Sequence, residues 1–325
     1  MKLGIYGYGN VGKGVELSAF QNKDVELVSI FTRRDKTKVK SEYGTAVYSA
    51  DELKDFKDKI DVLAICGGSA TELPTMTPEL VKDFNVIDTF DTHANILEHF
   101  KNVDKIAKEN GHVAMISCGW DPGMFSLNRL YAGAILPKGK DYTFWGRGVS
   151  QGHSDAIRHI EGVAAAKQYT VPVKETVDKV LKGEMKDFTM REKHTRECYV
   201  VVKEGADKKK IEDEIKSMPH YFDEYDTTVN FISMEEFEKN HSAMPHAGFV
   251  IRNGVTGKDD EHKHIVSYNL TLDSNPEFTA SVVVAYARAM MKERERGTTG
   301  CLTVFDIRPK DLSLKGYEEL LKTTM

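Results

Sequence analysis

The sequence predicts a two-domain α/β protein, in which a doubly wound parallel sheet is followed by a mixed, mainly antiparallel sheet. Three observations support this fold class. Up to Ser117, short apolar runs alternate with helical patterns, as is typical of parallel sheets covered by helices. From Tyr142 onward the apolar runs are longer and richer in β-forming residues. A glycine-rich turn directly follows the first apolar run.

The glycine-rich turn, GYGNVG, has the G-x-G-x-x-G spacing. It predicts a strand, a tight turn at Gly7 and a helix from Asn10 to Phe20 whose N-terminus attracts an anion. Gly9 lacks a side chain, so the backbone there can approach a pyrophosphate. The next apolar run, Val25 to Phe31, lies at βαβ distance. A Rossmann-type dinucleotide site is therefore predicted, with an ordinary turn that binds no ligand as the alternative.

Two arginines follow the second predicted strand, where NAD-preferring sites usually carry an acidic side chain. Arg33 and Arg34, preceded by Thr32, favour the 2′-phosphate of NADP, because guanidinium groups bind phosphate in a bidentate manner. The alternative is a pair of solvated loop charges. Asp35 follows directly and leaves some use of NAD possible.

The remaining elements of the first half continue the alternating pattern. A buried strand is predicted over Asp61 to Cys66, and it ends in the small residues of the GGSAT segment. Pro74 and Pro78 each allow a helix to start, and Pro78 is expected to lead into a helix from Glu79 to Phe84. Further strands are predicted at Asn85 to Thr89 and His112 to Ser117, with a helix between them at Ala94 to Asn110.

Two acidic residues follow strands of this sheet. Asp91 comes after the fourth strand, and Asp121 lies in the Trp120 to Gly123 turn after the fifth. Ligands of open α/β sheets bind at the carboxyl ends of the strands, where a carboxylate could hold a substrate ammonium or accept a proton. Helix N-capping is the alternative role for both residues.

The second half contains a segment rich in aromatic residues, glycines and polar donors, FWGRGVSQGHSDA, which resembles the wall of a pocket. It contains Trp145 and His153, although a single histidine is more often structural than catalytic. Arg196 directly precedes an apolar strand and could clamp a carboxylate, with an exposed ion pair as the alternative. Other candidate anion-binding residues are Thr170, His246 and Asn275.

Strands of the second half are predicted at Tyr142 to Val149, Cys198 to Val202, Thr228 to Ile232, Gly248 to Arg252 and His264 to Leu272. A long helix, Asn275 to Arg294, is expected to pack in the core between the domains. The predicted domains are therefore residues 1–121, completed by residues 276–325, for dinucleotide binding, and residues 122–275 for substrate binding and dimerisation.

Composition excludes several classes of protein. The chain has 325 residues, 40% of them hydrophobic, and a formal net charge of −5, which argues against a large nucleic-acid surface. The four cysteines are isolated, so no disulfide framework, zinc site or other metal centre is predicted. No apolar run reaches membrane-spanning length, and the first strand leaves no room for a signal peptide, so a soluble cytoplasmic protein is expected.

Several of these segments together resemble one family, the meso-diaminopimelate D-dehydrogenases. The resemblance covers nearly the whole chain. Its most specific segments are CGWDPGMFSLNR, FWGRGVSQGHSDA, MPHAG and LDSNPEFTAS, supported by GYGNVG, FTRR, GGSAT and DTFDTH.

The resemblance implies reversible oxidative deamination of meso-2,6-diaminopimelate at its D-centre, with NADP as cofactor, in a homodimer. It implies that the catalytic residues are Asp91, Asp121, Trp145 and His153, with Asp121 the first candidate for the general base and His153 the second. The implied substrate-binding residues are Trp120, Gly152, Thr170, Arg196, His246 and Asn275. The implied cofactor-binding residues are Gly7, Tyr8, Gly9, Asn10, Val11, Gly12, Thr32, Arg33, Arg34, Cys66, Gly67, Gly68, Ser69, Ala70, Thr71 and Asp91.

Two alternatives remain open from the sequence. One is another two-domain NADPH-dependent oxidoreductase, such as a homoserine or aspartate-semialdehyde dehydrogenase or a dihydrodipicolinate reductase. An enzyme of the semialdehyde type needs a nucleophilic cysteine, for which Cys118 is the candidate. The other is an NADPH-sensing module without activity, since a fold does not guarantee chemistry.

Overall fold

The computed structural model of the protein describes residues 1–325. Its contacts divide the chain into two compact units, one formed by Met1–Leu127 with Pro276–Met325 and the other by Asn128–Asn275. The sequence-based boundaries lie at 121/122 and 275/276, whereas the contacts divide the chain at 127/128 and 275/276. No helix combines the length and the apolar character needed to cross a bilayer.

The chain contains strands and helices throughout. The strands are β1 (Lys2–Tyr6), β2 (Glu26–Thr32), β3 (Val47–Ser49), β4 (Val62–Ile65), β5 (Val86–Asp88), β6 (Val113–Met115), β7 (Gly139–Trp145), β8 (Gly148–Val149), β9 (Val163–Pro172), β10 (His194–Val202), β11 (Asp226–Phe231), β12 (His246–Thr256), β13 (His262–Leu272) and β14 (Gly300–Leu302). The helices are α1 (Asn10–Gln21), α2 (Leu73–Leu80), α3 (Ile96–Glu109), α4 (Met124–Ile135), α5 (Gln151–Arg158), α6 (Lys174–Leu181), α7 (Met190–Lys193), α8 (Lys208–Ser217), α9 (Met234–His241), α10 (Asn275–Glu295) and α11 (Tyr317–Thr324). Short 3₁₀ helices lie at Lys36–Lys38, Ala50–Phe56, His93–Asn95, Val304–Asp306 and Pro309–Leu312.

The first unit is built on a parallel seven-stranded sheet of order β14-β6-β5-β4-β1-β2-β3. Its central strands are buried on both faces, so alternate residues of one strand enter different cores. In β4, Val62 and Ala64 belong to the core that also contains α1 and α10, whereas Leu63 and Ile65 belong to the core beneath α2 and α3. The sheet brings the loops after β1, β2, β4, β5 and β6 to one edge, where a nucleotide is expected.

The second unit contains two sheets. One has the order β11-β10-β9-β8, in which β10 and β11 are parallel and the other pairs antiparallel. The other is an antiparallel sheet of order β13-β12-β7. The predicted combination of a Rossmann-type sheet with a mixed, mainly antiparallel second region is therefore confirmed.

Two local predictions were wrong, and one strand of the second unit was missed. The run Tyr142 to Val149 is not one strand, because the chain turns at Gly146 (φ 116°) and its two parts, β7 and β8, join different sheets. The helix predicted at Glu79 to Phe84 forms earlier, as α2, which has Pro74, the other predicted start, in its first turn and Leu73 and Thr77 fully buried. Strand β9, which pairs with both β8 and β10, was absent from the predicted elements.

Candidate active site

The glycine turn between β1 and α1 has the geometry that close backbone approach requires. Gly7 has φ 96°, and its N–H donates to the carbonyl of Phe31 at 2.8 Å. A Cβ added to Gly12 would lie 2.2 Å from the carbonyl oxygen of Gly7, whereas one added to Gly9 would meet nothing within 4 Å. Gly9 is the N-cap of α1, which has no side-chain cap and no acidic residue in its first turn. This end of α1 therefore fits an anion such as a pyrophosphate.

Tyr8, within the same turn, points its ring into the core. The ring is 4% exposed, and its hydroxyl donates to the buried carboxylate of Glu16. Glu16 also accepts hydrogen bonds from the hydroxyl groups of Ser41 and Thr45, both at 2.5 Å. This network ties the segment after β2 to α1. Only the backbone of Tyr8 is left for a ligand, and its neighbours Asn10 and Val11 begin the helix.

The two arginines after β2 make different contacts. Arg34 donates to the carbonyl of Tyr8 at 2.6 Å, and its own N–H donates to Thr32 Oγ1 at 3.1 Å. Arg33 forms an ion pair with Glu72, whose other oxygen accepts the N–H of Gly68 at 2.6 Å. The guanidinium of Arg34 therefore lies beside the glycine turn, and that of Arg33 is linked to the GGSAT loop through Glu72. Sequence reasoning missed Glu72, since a single glutamate after a glycine-rich loop carries no distinguishing signal.

Asp35, which left NAD use open, is directed at its own turn. Its Oδ1 accepts from the backbone N–H of Thr37 at 3.0 Å and from the Thr37 hydroxyl at 2.7 Å. These hydrogen bonds hold the pKa of Asp35 below its usual value. The carboxylate therefore caps the short 3₁₀ helix that follows β2.

The loops after β4 and β5 are linked directly. Ser69 Oγ accepts the backbone N–H of Asp91 at 2.7 Å, which joins the GGSAT loop (Gly67, Gly68, Ser69, Ala70 and Thr71), preceded by Cys66, to the exposed Asp91. Asp91 is not an N-cap residue, because the N-cap position of the next 3₁₀ helix is Thr92 and that of α3 is Asn95. The capping alternative for this carboxylate is therefore wrong.

The loop after β6 forms a tight turn that carries Trp120 and Asp121. A Cβ added to Gly123 (φ 127°) would lie 1.9 Å from the carbonyl oxygen of Gly119, so only glycine fits. Trp120 is 8% exposed and packs edge-on against Phe125, with the ring centres 5.4 Å apart. The indole is thus part of the packed turn, and Asp121 beside it is half-buried.

Cys118 precedes this turn and lacks the properties of a nucleophile. Its side chain is fully buried, and burial, together with the nearby Asp88 carboxyl, raises the pKa of its thiol well above the usual value. Reactive cysteines are instead partly exposed and have lowered pKa values. The structure therefore argues against the semialdehyde dehydrogenase alternative. No group of three or more His, Cys, Asp or Glu side chains is arranged to hold a metal ion.

In the second unit, Arg196 and Thr170 come together on one face of the four-stranded sheet. They are paired across β10 and β9, and the guanidinium donates to the Thr170 hydroxyl. The guanidinium carbon lies 3.9 Å from the ring centre of Tyr225. Arg196 is only 7% exposed, has no carboxylate partner and keeps its Nε without a hydrogen bond. Burial lowers its pKa, and an unpaired guanidinium in such a position fits the carboxylate of a ligand.

His153 lies near this arginine, at the start of α5. Its Nδ1 is 2.7 Å from the hydroxyl of Ser150, and its ring packs edge-on against Tyr221 and Phe222. Burial, and to a lesser degree the charge of Arg196, lowers the pKa of His153 to about 4. At neutral pH the imidazole is therefore a weak proton acceptor. Gly152, beside it, is exposed, and a Cβ there would meet nothing within 4 Å.

His194 fixes the position of Trp145 and was missed by sequence reasoning. Its Nε2 lies 2.9 Å from the backbone nitrogen of Trp145, which donates to it, and the two rings stack with their centres 5.4 Å apart. Burial lowers the pKa of His194 to about 3, so the neutral ring can accept this hydrogen bond. His194 and Arg196 alternate in HTREC, and this two-residue period could have indicated that they share a face.

His246 and Asn275 flank the same region of the second unit. The ring of His246 packs over Gly148, where a Cβ would come within 2.5 Å of it, and Gly148 pairs with Thr170. The N–H of Asn275 donates to the carbonyl of Met244 at 3.0 Å, two residues before His246. Arg196 therefore lies beside Thr170, His246 lies over the glycine that pairs with Thr170, and Asn275 lies beside Met244.

Comparison with known proteins identifies the family. A curated meso-diaminopimelate D-dehydrogenase from Acetivibrio thermocellus is 56% identical over 326 residues, which cover 100% of this chain and 98% of the relative. The chain belongs to the meso-diaminopimelate D-dehydrogenase family. Residues 119–274 also match the family model for the diaminopimelic acid dehydrogenase C-terminal domain.

Solved structures agree with this membership in the meso-diaminopimelate D-dehydrogenase family. A sixfold-substituted meso-diaminopimelate dehydrogenase from Clostridium tetani, crystallised with DAP, has a TM-score of 0.94 and 51% identity, with 100% of this chain and 99% of that chain covered. An engineered D-amino acid dehydrogenase bound to NADP+ has a TM-score of 0.89 and 39% identity, again with 100% and 99% covered. The family predicted from the sequence is therefore confirmed.

Proposed function

We propose that this protein catalyses the reversible, NADP-dependent oxidative deamination of meso-2,6-diaminopimelate at its D-centre. The products are L-2-amino-6-oxopimelate, ammonium and NADPH, and the reaction serves lysine and cell-wall precursor synthesis. Family membership supports the reaction. The observation that supports this substrate class in the structure is Arg196, a buried guanidinium that the chain provides with no carboxylate of its own.

The first unit supplies the residues for NADP. The uncapped N-terminus of α1, with Gly7, Gly9 and Gly12, fits the pyrophosphate, while Arg33 and Arg34 fit the 2′-phosphate. The GGSAT loop offers backbone groups at the neighbouring carboxyl edge. When bound, NADP accepts a hydride from the substrate carbon, and the protein supplies orientation and electrostatics.

The second unit supplies the residues for the substrate carboxylates. Arg196, with Thr170 beside it, binds one carboxylate, and His246 lies next in the same group. Asn275 is assigned to the distal L-centre, and Gly152 and Trp120 to substrate contacts. These anchors hold the carbon skeleton in one orientation, which is the main contribution of remote binding groups to the chemical step.

Asp91, Asp121 and Trp145 are assigned to the reacting D-centre. Carboxylates hold the substrate ammonium and take up a proton as the amine is converted to an imine, which water then hydrolyses. Asp121 is the first candidate for this proton acceptor. The lowered pKa of His153 leaves that residue better suited to a neutral hydrogen bond than to proton transfer.

Absorbance of NADPH tests the reaction directly. The purified protein is mixed with NADP or NAD and with meso-, LL- or DD-diaminopimelate or a simple D-amino acid. Reduction of NADP with meso-diaminopimelate is the expected result. Turnover of homoserine or an aldehyde substrate instead would favour another oxidoreductase, and binding of NADPH without turnover of any substrate would favour the sensing module.

We also propose, as the resemblance implies, a cytoplasmic homodimer. Support for self-association comes from β13, an 11-residue strand at the edge of its sheet, since a long edge strand with unpaired backbone groups is usually covered. Analytical ultracentrifugation measures the mass in solution, and a single species of monomer mass would contradict the dimer.

A further inference from the structure

Asp88, the last residue of β5, is a fully buried carboxylate that the assignments above leave without a role. Its Oδ2 accepts the Thr77 hydroxyl at 2.7 Å and lies 3.0 Å from Nε2 of His99. Its Oδ1 accepts the backbone N–H groups of Phe90 and Ser117, both at 3.0 Å. One side chain thus makes four polar contacts without any exposure to water, and each buried polar group of this kind needs such partners.

The two backbone contacts of Asp88 belong to different loops. Phe90 directly precedes Asp91, and Ser117 begins the loop that carries Trp120 and Asp121. The carbonyl of Asp88 also accepts the N–H of Cys118 at 2.9 Å, which gives the second loop another attachment. Asp88 therefore fixes the starting points of both loops that carry candidate carboxylates in the first unit.

The backbone of Ser117 is strained, so the second loop requires stabilising contacts. Ser117 has φ 55°, a left-handed conformation that is unfavourable for a non-glycine residue. Its own hydroxyl is buried and has no hydrogen-bond partner, so the side chain does not stabilise this turn. The backbone bonds from Ser117 and Cys118 to Asp88 are the interactions that hold the strained residue in place.

We infer that Asp88 is a positioning residue for the proposed deamination, since it sets the relative position of the loops carrying Asp91 and Asp121. It touches neither substrate nor cofactor in this role. Displacing a catalytic group by about 1 Å can lower the rate about 100-fold, so a residue that fixes two such groups affects the rate without contacting the reacting atoms. The inference rests on the proposed function, because that reaction gives the two carboxylates their role.

Three variants test the inference, each compared with the wild type on meso-diaminopimelate and NADP. Asp88→Ala removes all four side-chain contacts, and we expect kcat to fall at least about tenfold. Asp88→Asn is expected to retain most of the wild-type kcat. Its amide oxygen can still accept both backbone N–H groups, while Thr77 and His99 change from donors to acceptors of hydrogen bonds from the amide nitrogen. Thr77→Val, the control, removes one Oδ2 contact only and should lower Tm while kcat stays within about twofold.

The isotope effect separates positioning from general destabilisation. With deuterium on the D-carbon, kcat per NADPH-binding site should show a larger isotope effect in Asp88→Ala than in the wild type, since looser geometry slows hydride transfer. A purely structural role would lower the number of binding sites and leave both the kcat per site and the isotope effect unchanged. If Asp88→Ala does not fold, Asp88→Glu, whose side chain is one methylene longer, is measured instead. It should likewise show a lower kcat per site and a larger isotope effect than the wild type.

The outcomes are distinguishable. A wild-type protein that does not oxidise meso-diaminopimelate would contradict the proposed function itself. Where the wild type is active, an unchanged kcat and isotope effect in the folded Asp88 variant would overturn the inference. An equal loss of kcat in Thr77→Val and Asp88→Ala would overturn it as well.

Discussion

Two buried arginines of the second unit allow a matched test of the carboxylate site. Arg196 and Arg252 are both 7% exposed. Arg252 donates to the carbonyl of Leu136 at 3.0 and 2.6 Å and to the carboxylate of Asp141 at 2.9 Å. Arg196 has no carboxylate partner, and its contacts are with the Thr170 hydroxyl and with the ring and hydroxyl of Tyr225. We predict that Arg196→Met lowers activity but not stability, whereas Arg252→Met lowers stability but not activity.

The magnitudes follow from these contacts. A hydrogen bond to a charged group contributes about 1.5 to 3 kcal/mol, so losing one such bond to substrate in Arg196→Met lowers kcat/KM about 10- to 150-fold. The free energy of unfolding should stay within about 1 kcal/mol of the wild type or rise, because a buried unpaired charge is removed. Arg252→Met leaves buried carbonyl groups without donors and should lower that free energy by at least about 2 kcal/mol, with kcat/KM retained.

Denaturant unfolding and NADP reduction with meso-diaminopimelate are measured on the same preparations. Arg196→Lys is included because an ammonium keeps the charge but loses the two-pronged geometry, so its kcat/KM should lie between those of the wild type and Arg196→Met. A marked loss of stability in Arg196→Met with unchanged kcat/KM would refute the assignment, since Arg196 would then be structural.

Three further predictions concern other parts of the protein. Replacing both Arg33 and Arg34 with alanine should raise the KM for NADP and spare that for NAD, and an equal loss with both cofactors would refute the 2′-phosphate assignment. The pKa of His153 is lowered from 6.5 to about 4, so between these pH values the unfolded chain takes up a proton that the folded chain does not, and this residue destabilises the fold as the pH falls. His153→Phe should therefore reduce the decline in unfolding free energy between those pH values. An unchanged curve of unfolding free energy against pH would contradict the burial argument. Asn275→Ala should narrow the kcat/KM gap between meso-diaminopimelate and D-alanine, which lacks a distal end, and an unchanged gap would remove Asn275 from the L-centre.

The sequence predicts the first unit well, because local signals agree there. The spacing of Gly7, Gly9 and Gly12 directly encodes backbone geometry, and the structure shows why a side chain would not fit at Gly12. The buried strand β4 is equally clear, since it is apolar on both faces. Pro74 and Pro78 both allow a helix to start, and helix α2 was misplaced because burial of Leu73 and Thr77, a tertiary effect, favours the earlier start.

The candidate site was predictable where the residue type itself carries the chemistry. Arg196 and Asp91 were predicted as site residues because guanidinium and carboxylate groups suit the ligand, and their roles stay predictions. His194 and Asp88 were not assigned a role, because their roles depend on partners distant in the chain: the backbone of Trp145 for His194 and that of Ser117 for Asp88. Such long-range hydrogen bonds leave no local pattern in a single sequence.

The central claim is that hydride leaves the D-carbon of meso-diaminopimelate and passes to NADP. It is tested most directly with two samples of the substrate, one deuterated at the D-carbon and one at the L-carbon, followed by mass spectrometry of the NADPH formed. We predict that deuterium appears in NADPH only from the D-labelled sample and that LL-diaminopimelate is inert. Deuterium transfer from the L-carbon, or turnover of LL-diaminopimelate at the rate of the meso form, would contradict the account.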